Sequence, residues 1–485
     1  MTPASTPLKS LVVRISEQPA KLRLVRLSVV SLWLAYALPV WSQVDVSRNL
    51  ETIRTNRHMP GISAMAIKKG RIVAQGAAGY RRQGDPTPLL VTDPVNLGSC
   101  TKWMTATIAG RLVDRGLIGW NTRVCDLFTN YPTFNPSFTN VTLDELLCHY
   151  GGVQDQNTFD ANHWSQFMPQ TGTVSQLRRW VCDTILKDTP QVPPGNYLYS
   201  NQGYTVAATM MEIASGTDWE TLIQREIFTP IRMKTATLGQ VFDNALPPHA
   251  PVGHDLAAAA TIPVPRLRLP LNCELHYHAA TGPAGYVGCT LKDWAKFLHI
   301  HTTNYIGDYM SSATGTRLQQ PYIDDGDGSN FDMGRGILVT DRSWASPGKA
   351  LAHGGDIFGQ DSLVWMAPAN DFITVAAINC SATNTAVGDA LNDVATLLVL
   401  NYANAQPSGP LLEDPAPSGL VVQNHAIFSY LTLPGLSYVV ETSTNLLRSW
   451  TPANGANGQT ATSLVSAYTD STPAPIKFYR VKAAP

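Results

Sequence analysis

Residues 96–104 read NLGSCTKWM and hold the feature that decides the fold, a serine and a lysine three positions apart where a helix begins. Apolar residues recur every three or four positions after this point, so the sequence predicts a helix from about 100 to 115. Ser99 and Lys102 then share one face, with adjacent side chains. The positive end of the helix dipole favours a serine alkoxide and a neutral lysine there, which is the requirement for a nucleophile and its base.

The ordinary alternative is that Ser99 only caps the helix and Lys102 is a solvated first-turn residue. The sequence Ser346-Pro347-Gly348-Lys349 has the same spacing, but Pro347 and Gly348 prevent a helix between the two groups. This second pair is an internal control. The serine-lysine spacing therefore needs support from elsewhere in the chain.

A second stretch, 193–201, is rich in turn residues and leads into an amphipathic helix predicted for 202–215. It places Tyr199 and Asn201 on a short loop held by that helix, where catalytic groups are often found. The alternative is that Tyr199 packs in the core and Asn201 caps the helix.

The third stretch, His353-Gly354-Gly355-Asp356, lies between predicted strands. Glycines on a strand edge weaken the strand and are tolerated where another backbone or a ligand comes close. A substrate lying along this edge would use its backbone groups. A plain turn is the competing interpretation.

The three motifs, in this order, resemble those of the penicillin-recognising serine hydrolases. That family includes class C β-lactamases, D-alanyl-D-alanine carboxypeptidases and β-lactamase-like esterases. The resemblance covers about residues 46–400, and stretches 143–152 and 333–336 support it. It implies an α/β (α+β) fold, with an antiparallel sheet flanked by helices and an inserted helical subdomain.

The resemblance also implies roles for single residues. Ser99 would be the nucleophile, Lys102 its base, and Tyr199 the group that protonates the leaving group. The expected substrate-binding residues are Asn201, His353, Gly354, Gly355 and Asp356, with the N–H groups of Ser99 and Asp356 as the oxyanion hole. No cofactor and no metal are expected.

This chain departs from the family where lactamases usually have Lys-[Ser/Thr]-Gly, because His353-Gly354-Gly355 lacks the permanent cation and the hydroxyl. We expect weakened recognition of a substrate carboxylate. An esterase or D-amino-acid peptidase or carboxypeptidase, acting through an acyl-enzyme on a small-molecule or cell-wall-derived peptide substrate, is favoured over an efficient β-lactamase. The alternative function is an inactive penicillin-binding-like protein that binds cell-wall peptides or another partner.

Local composition, including an apolar run and a Pro/Ser/Gly-rich stretch, predicts the domain organisation. Basic residues precede a 14-residue apolar run, Leu27 to Val40, which is typical of a signal peptide and too short for a permanent membrane span. The protein is therefore expected to be exported to the periplasm or the extracellular space. The predicted divisions are a signal peptide, 1–42; a serine hydrolase domain, 46–403; a Pro/Ser/Gly-rich linker, 404–419; and a small β-sandwich-like domain, 420–485.

Strand patterns start and finish the hydrolase segment, at 62–67 and 72–75 and again at 336–339, 362–366 and 372–378, which predicts one sheet built from distant parts of the chain. In the tail, strands are predicted at 420–422, 427–433, 438–441 and 477–481. The tail is expected to bind a surface or polysaccharide, although its aromatic residues also suit a small core.

Charge and cysteine content exclude other classes. With 35 basic and 36 acidic residues the chain has a net charge of −1 and no basic stripe, so nucleic acid is not an expected partner. The seven cysteines permit disulfides after export, but the count is odd and the pairing is not readable. His276-x-His278 and His299-x-His301 have a spacing seen in metal sites, but residues two apart on a helix face different ways, which disfavours the second pair.

Overall fold

A computed structural model gives the structure of the hydrolase segment and the strands of the tail. The residues it describes are 43–128, 134–155, 161–239, 241, 246, 248–257, 260–266, 272–302, 309–323, 332–407, 409–412 and six strands between 426 and 483. The expected signal peptide 1–42, half of the expected linker and the predicted strand 420–422 lie outside the described residues.

Twenty strands are named in chain order. They are β1 (Val44–Asp45), β2 (Gly61–Lys68), β3 (Arg71–Gly79), β4 (Pro94–Asn96), β5 (Thr237–Leu238), β6 (His254–Leu256), β7 (Val264–Pro265), β8 (Val287–Thr290), β9 (Asp332–Met333), β10 (Leu338–Thr340), β11 (Ala350–Ile357), β12 (Gln360–Ala367), β13 (Phe372–Ile378), β14 (Ser381–Ala382), β15 (Ala426–Leu431), β16 (Ser437–Ser443), β17 (Thr451–Pro452), β18 (Gln459–Thr460), β19 (Val465–Asp470) and β20 (Phe478–Ala483).

Twelve α-helices are named in the same way. They are α1 (Ser47–Asn56), α2 (Thr101–Asp114), α3 (Val124–Leu127), α4 (Leu143–Leu147), α5 (Ala161–Phe167), α6 (Val174–Ile185), α7 (Asn201–Ser215), α8 (Trp219–Ile223), α9 (Asn272–Ala280), α10 (Leu291–His299), α11 (Ser312–Leu318) and α12 (Ala386–Tyr402).

The main sheet has eight strands in the order β1-β3-β2-β13-β12-β11-β10-β9. Its neighbours are antiparallel, as expected, except at the edge, where the two-residue strand β1 runs parallel to β3. β2 pairs with β13 from Ile62↔Ile378 to Lys68↔Phe372. The prediction that strands from both ends of the hydrolase segment share one sheet is confirmed.

Both faces of this sheet are covered by helices, because side chains alternate between faces along each strand. On β2, Ile62 and Ala64 belong to the apolar core shared with α1 and α12. Met65 and Ile67 face the opposite core, which contains α2, α7 and α10. The sheet therefore lies between two helical layers, and the layer with α2 carries the serine and the lysine.

The helical region between β4 and β9 is held by buried charges. Arg178 on α6 is completely buried and pairs with Glu212 and Glu220, while its Nε donates to the carbonyl of Ala280 at 2.9 Å. Asp144 on α4 accepts from both Nε and Nη2 of Arg335, at 2.6 and 2.7 Å. The second pair links two stretches, 143–152 and 333–336, that supported the family resemblance.

The tail contains strands at three of the four predicted places, and the fourth, 420–422, lies outside the described residues. β15 pairs with β19, and β16 pairs with β17, β18 and β20. These positions agree with the strands predicted at 427–433, 438–441 and 477–481. Within the described part of the chain, no helix combines the length and the apolar character that crossing a bilayer requires.

We expect Arg178→Ala to lower the free energy of unfolding by about 3–5 kcal/mol, because it leaves the buried Glu212 carboxylate without its partner. Urea unfolding followed by circular dichroism measures the loss. Arg57→Ala is the matched control: Arg57 pairs with Asp393 at 2.7 Å, but both side chains are more than a third exposed, so the expected loss is below about 1 kcal/mol. Equal losses in the two variants would contradict the structural role of Arg178.

Candidate active site

Ser99 lies in a tight turn, Gly98–Cys100, that leads directly into α2. Gly98 has φ +50°, and a Cβ atom there would stand 2.5 Å from the backbone nitrogen of Asp356. A Cβ atom on Gly355 would stand 2.8 Å from the backbone nitrogen of Ser99. Only glycines permit this contact between the turn and β11, and it brings the N–H groups of Ser99 and Asp356 close together.

The contact occurs on an open strand edge. β10 pairs with β11 only from Ala350 to Ala352, whereas β12 pairs with it to Ile357. The turn that carries Ser99 approaches the part of the edge that β10 leaves uncovered. A glycine is required at position 355 because the chain's own backbone comes close there: a Cβ atom would lie 2.0 Å from the Leu97 carbonyl oxygen. Gly354 has no such neighbour among the described residues, since an added Cβ would meet only the Ser362 oxygen at 3.8 Å.

Lys102 is fully buried one turn after Ser99. Its Nζ lies 3.0 Å from Ser99 Oγ, 2.6 Å from Asn201 Oδ1 and 2.9 Å from the carbonyl oxygen of Ala284. The alternative of a solvated first-turn lysine is therefore wrong. The amine has three polar partners and no access to bulk water.

Burial lowers the pKa of Lys102 to about 7, although Asp155 and Cys100 act in the opposite direction. A neutral amine has two N–H donors and one lone pair. Asn201 Oδ1 and the Ala284 carbonyl can only accept, so they take the two N–H groups. The lone pair then faces Ser99 Oγ, and the serine hydroxyl donates to it.

Tyr199 contacts both Ser99 and Lys102. Burial raises the pKa of its phenol, and a hydrogen bond with Ser99 opposes part of that rise. The Lys102 nitrogen is 4.8 Å from the centre of the ring. At neutral pH the phenol is protonated, so it has a proton to give.

Asn201 begins α7, and its amide is held in one orientation. Ser200, with its hydroxyl accepting from Gly203 N at 2.9 Å, is the residue that caps the helix, so the alternative role of Asn201 as the cap is wrong. Asn201 Nδ2 donates to Asp155 Oδ1 at 3.1 Å, which turns its oxygen toward Lys102. A chain of hydrogen bonds therefore runs from the Asp155 carboxylate through the Asn201 amide and the Lys102 amine to the Ser99 hydroxyl.

His353 is buried at the start of the exposed part of β11. Burial and the neighbouring Lys102 lower the pKa of His353 to about 4, so the imidazole is neutral at neutral pH. Its Nδ1 lies 2.5 Å from the carbonyl oxygen of Gly354 and donates to it. The position that resembles a lactamase lysine therefore carries no positive charge.

Most of the residues expected at the site meet at this junction: Ser99, Lys102, Tyr199, Asn201 and the backbone of Gly355 and Asp356, with His353 and Gly354 preceding them on β11. The control pair behaves differently: Lys349 is about half exposed and pairs with Asp341 at 2.7 Å. Sequence reasoning missed Asp155, the carbonyl of Ala284 and His149, whose ring stacks on Tyr199 at 4.3 Å. The stretch 143–152 that contains His149 had been noticed, but nothing in its letters indicates a ring contact 50 residues later in the chain.

Known proteins were compared with this chain. It is 25% identical over 382 residues to Penicillin-binding protein 4 of Amycolatopsis lactamdurans, which covers 76% of this chain and 94% of that protein. The D-amino acid amidase of Ochrobactrum anthropi SV3, solved with L-phenylalanine amide, superposes with a TM-score of 0.57 at 18% identity, covering 74% of this chain and 99% of the amidase. The octameric penicillin-binding protein homologue of Pyrococcus abyssi gives a TM-score of 0.57 at 17% identity, covering 89% and 99%.

These similarities confirm the resemblance to penicillin-recognising serine hydrolases and the α/β fold that it implies. The sequence matches the Beta-lactamase family over residues 46–398, which is more than half of its length. This chain belongs to the Beta-lactamase family.

Proposed function

We propose that the protein is a serine hydrolase that forms an acyl-enzyme on an ester or amide. The observation that carries the proposal is the buried Lys102 amine, 3.0 Å from Ser99 Oγ, with its other two polar contacts made to acceptors. A lysine held in this way is a base at neutral pH. The same residues serve as nucleophile, base and acid in the roles that the family resemblance implies.

In the proposed acylation step, Ser99 Oγ attacks the substrate carbonyl carbon while its proton passes to Lys102 Nζ. The negative charge that develops on the carbonyl oxygen is stabilised by the N–H groups of Ser99 and Asp356, which the Gly98 and Gly355 contact brings together. The C–O or C–N bond to the leaving group then breaks. Tyr199, hydrogen-bonded to Ser99, gives the leaving group its proton and regains one from Lys102.

In the deacylation step, water attacks the Ser99 ester. The neutral Lys102, directly or through Tyr199, accepts a proton from that water, and the proton returns to Ser99 Oγ as the acid leaves. Asn201 keeps the amine aimed at the serine throughout, because Asp155 fixes the amide. Protons and bonds balance over the cycle without a cofactor.

The charges at the site support uncharged or cationic substrates over carboxylates. His353 is neutral, and Asp356 faces Asp361 across β11 and β12. Burial and the neighbouring Asp356 raise the pKa of Asp361 to about 8, because a second negative charge beside the first is unfavourable. The structural similarity to a D-amino acid amidase supports amides of amino acids as one substrate class. The apolar run at Leu27 to Val40 supports export of the enzyme.

Ser99→Ala should abolish hydrolysis of p-nitrophenyl butyrate and labelling by a fluorophosphonate, because both need the Oγ nucleophile. Lys102→Ala should lower kcat/KM by about 10²- to 10⁴-fold, the usual contribution of a general base. Lys349→Ala, in the control pair, should leave kcat/KM unchanged. Steady-state kinetics and intact-protein mass spectrometry measure these effects. Hydrolysis that survives Ser99→Ala would contradict the proposal. A wild-type protein that the fluorophosphonate never labels would favour the binding-protein alternative.

The rate should depend on pH through Lys102. The amine is a base only above its pKa, so kcat/KM should rise with pH through about 7. Asp155→Asn removes a carboxylate that favours the ammonium form, so the rise should move to lower pH. A kcat/KM profile from about pH 5 to pH 9 measures both. An unchanged midpoint in the variant, or a shift to higher pH, would rule out this coupling.

A substrate carboxylate should be a disadvantage. Mono-p-nitrophenyl glutarate differs from p-nitrophenyl butyrate by a distal carboxylate, and we expect its kcat/KM to be about tenfold lower because of like-charge repulsion near Asp356. Replacing both acids together, Asp356→Asn with Asp361→Asn, and separately about 0.5 M salt, should narrow the gap. Asp341→Asn, an exposed acid paired with Lys349, is the control. A preference for the glutarate would show that the site holds a cation for it.

A further inference from the structure

His149 is a buried imidazole that the steps above do not use. It is 1% exposed, and its backbone has φ +68°, the left-handed region that is unusual for a residue with a side chain. The ring stacks on Tyr199 with a centroid distance of 4.3 Å and an interplanar angle of 27°. A strained backbone that aims a ring at the catalytic phenol needs a reason.

His149 also holds the backbone on both sides of Tyr199. Leu198 N donates to the carbonyl of His149 at 2.8 Å, and Ser200 N donates to its Nδ1 at 3.0 Å. Because Nδ1 accepts, the neutral ring carries its proton on Nε2, which has no partner among the described residues. Three successive residues, 198 to 200, are thus fixed by one histidine.

The protonation state suits this contact. Burial, together with Lys102 and His353, holds the pKa of His149 well below its ordinary value, so the ring is neutral. A neutral imidazole keeps Nδ1 free to accept from Ser200 and adds no positive charge beside Lys102. Protonation would remove that acceptor and place a second cation in the same buried space.

We propose that His149 is a positioning residue for Tyr199: it holds the phenol between Ser99 and the leaving group by stacking on its ring and anchoring the adjacent backbone. The inference rests on the proposed function, since it assigns a role within that reaction. His149 acts through Tyr199 and does not touch the reacting atoms. Its contribution is therefore to the rate of acylation and not to substrate affinity.

The chain offers a matched control in His301. This ring is fully buried, and it stacks on Trp103 at 4.2 Å and 28°, nearly the geometry of the His149 contact. Its Nε2 lies 3.1 Å from Thr107 Oγ1. His301→Asn therefore removes a similar stacked imidazole at a place that does not contact Tyr199.

The test is the acylation rate with p-nitrophenyl butyrate, taken from the p-nitrophenol burst. His149→Asn tolerates the left-handed backbone and keeps an acceptor near Ser200, but it removes the ring. We expect acylation to fall on the order of 10²-fold, while the substrate dissociation constant, taken from the dependence of the burst rate on substrate concentration, stays within about threefold. His301→Asn should leave acylation within about threefold while lowering the thermal unfolding midpoint.

A double-mutant cycle separates positioning from a general structural role. In the Tyr199→Phe background the phenol hydroxyl is already gone, so His149→Asn should add less than about threefold. The same loss in both backgrounds would overturn the proposal. His149→Phe provides a second test, because it keeps a ring but strains the left-handed backbone: acylation should rank Phe above Asn, and thermal stability Asn above Phe. An acylation order that follows stability would also overturn it.

The failures of the two proposals are distinguishable. If a fluorophosphonate does not label Ser99 in the wild type, the hydrolase function fails and the positioning role fails with it. If the wild type is labelled and His149→Asn is labelled at the same rate, only the positioning role fails.

Discussion

The structure depends on the burial of one amine. The pKa of Lys102 is lowered from its ordinary 10.5 to about 7. The buried site therefore destabilises the ammonium form relative to the neutral amine by about 5 kcal/mol. The neutral amine is stable in this buried place because its lone pair and both N–H groups have hydrogen-bond partners, in Ser99, Asn201 and Ala284. The surrounding fold meets this requirement: α2 carries the lysine through the core, α7 presents the amide, and the segment before β8 presents a carbonyl.

The sequence predicted much of this arrangement and missed a definite part of it. The spacing of Ser99 and Lys102 fixes their shared face once a helix is assigned, and the glycines of β11 indicated a close approach. The Ala284 carbonyl was not predictable, because any residue has one and only the chain path decides where it lies. Asp155 and His149 were missed for a related reason: their roles depend on contacts with residues 46 and 50 positions later, and nothing in a local pattern records such contacts.

The basic groups of the site have lowered pKa values. Burial lowers the pKa values of His149 and His353, the two histidines near Tyr199. It also lowers the pKa of Lys102 to about 7, so this amine carries no permanent positive charge at neutral pH. Each neutral group helps the others stay neutral, since a proton on any one of them would repel a proton on the next. Three carboxyl groups lie nearby: Asp155, which is hydrogen-bonded to Asn201, and the neighbours Asp356 and Asp361. Under the proposed function, the same burial that lowers the pKa of Lys102 also disfavours a carboxylate substrate.

The junction between the Ser99 turn and β11 joins two places that are far apart along the chain. Gly98 and Gly355 must meet before the backbone N–H groups of Ser99 and Asp356 lie together, and β2 must find β13 before the sheet that supports them exists. A ribosome adds residues one at a time, and a domain folds only after its parts have emerged. A chain terminated before residue 355 therefore contains Ser99 and Lys102 but lacks the strand against which the Ser99 turn packs.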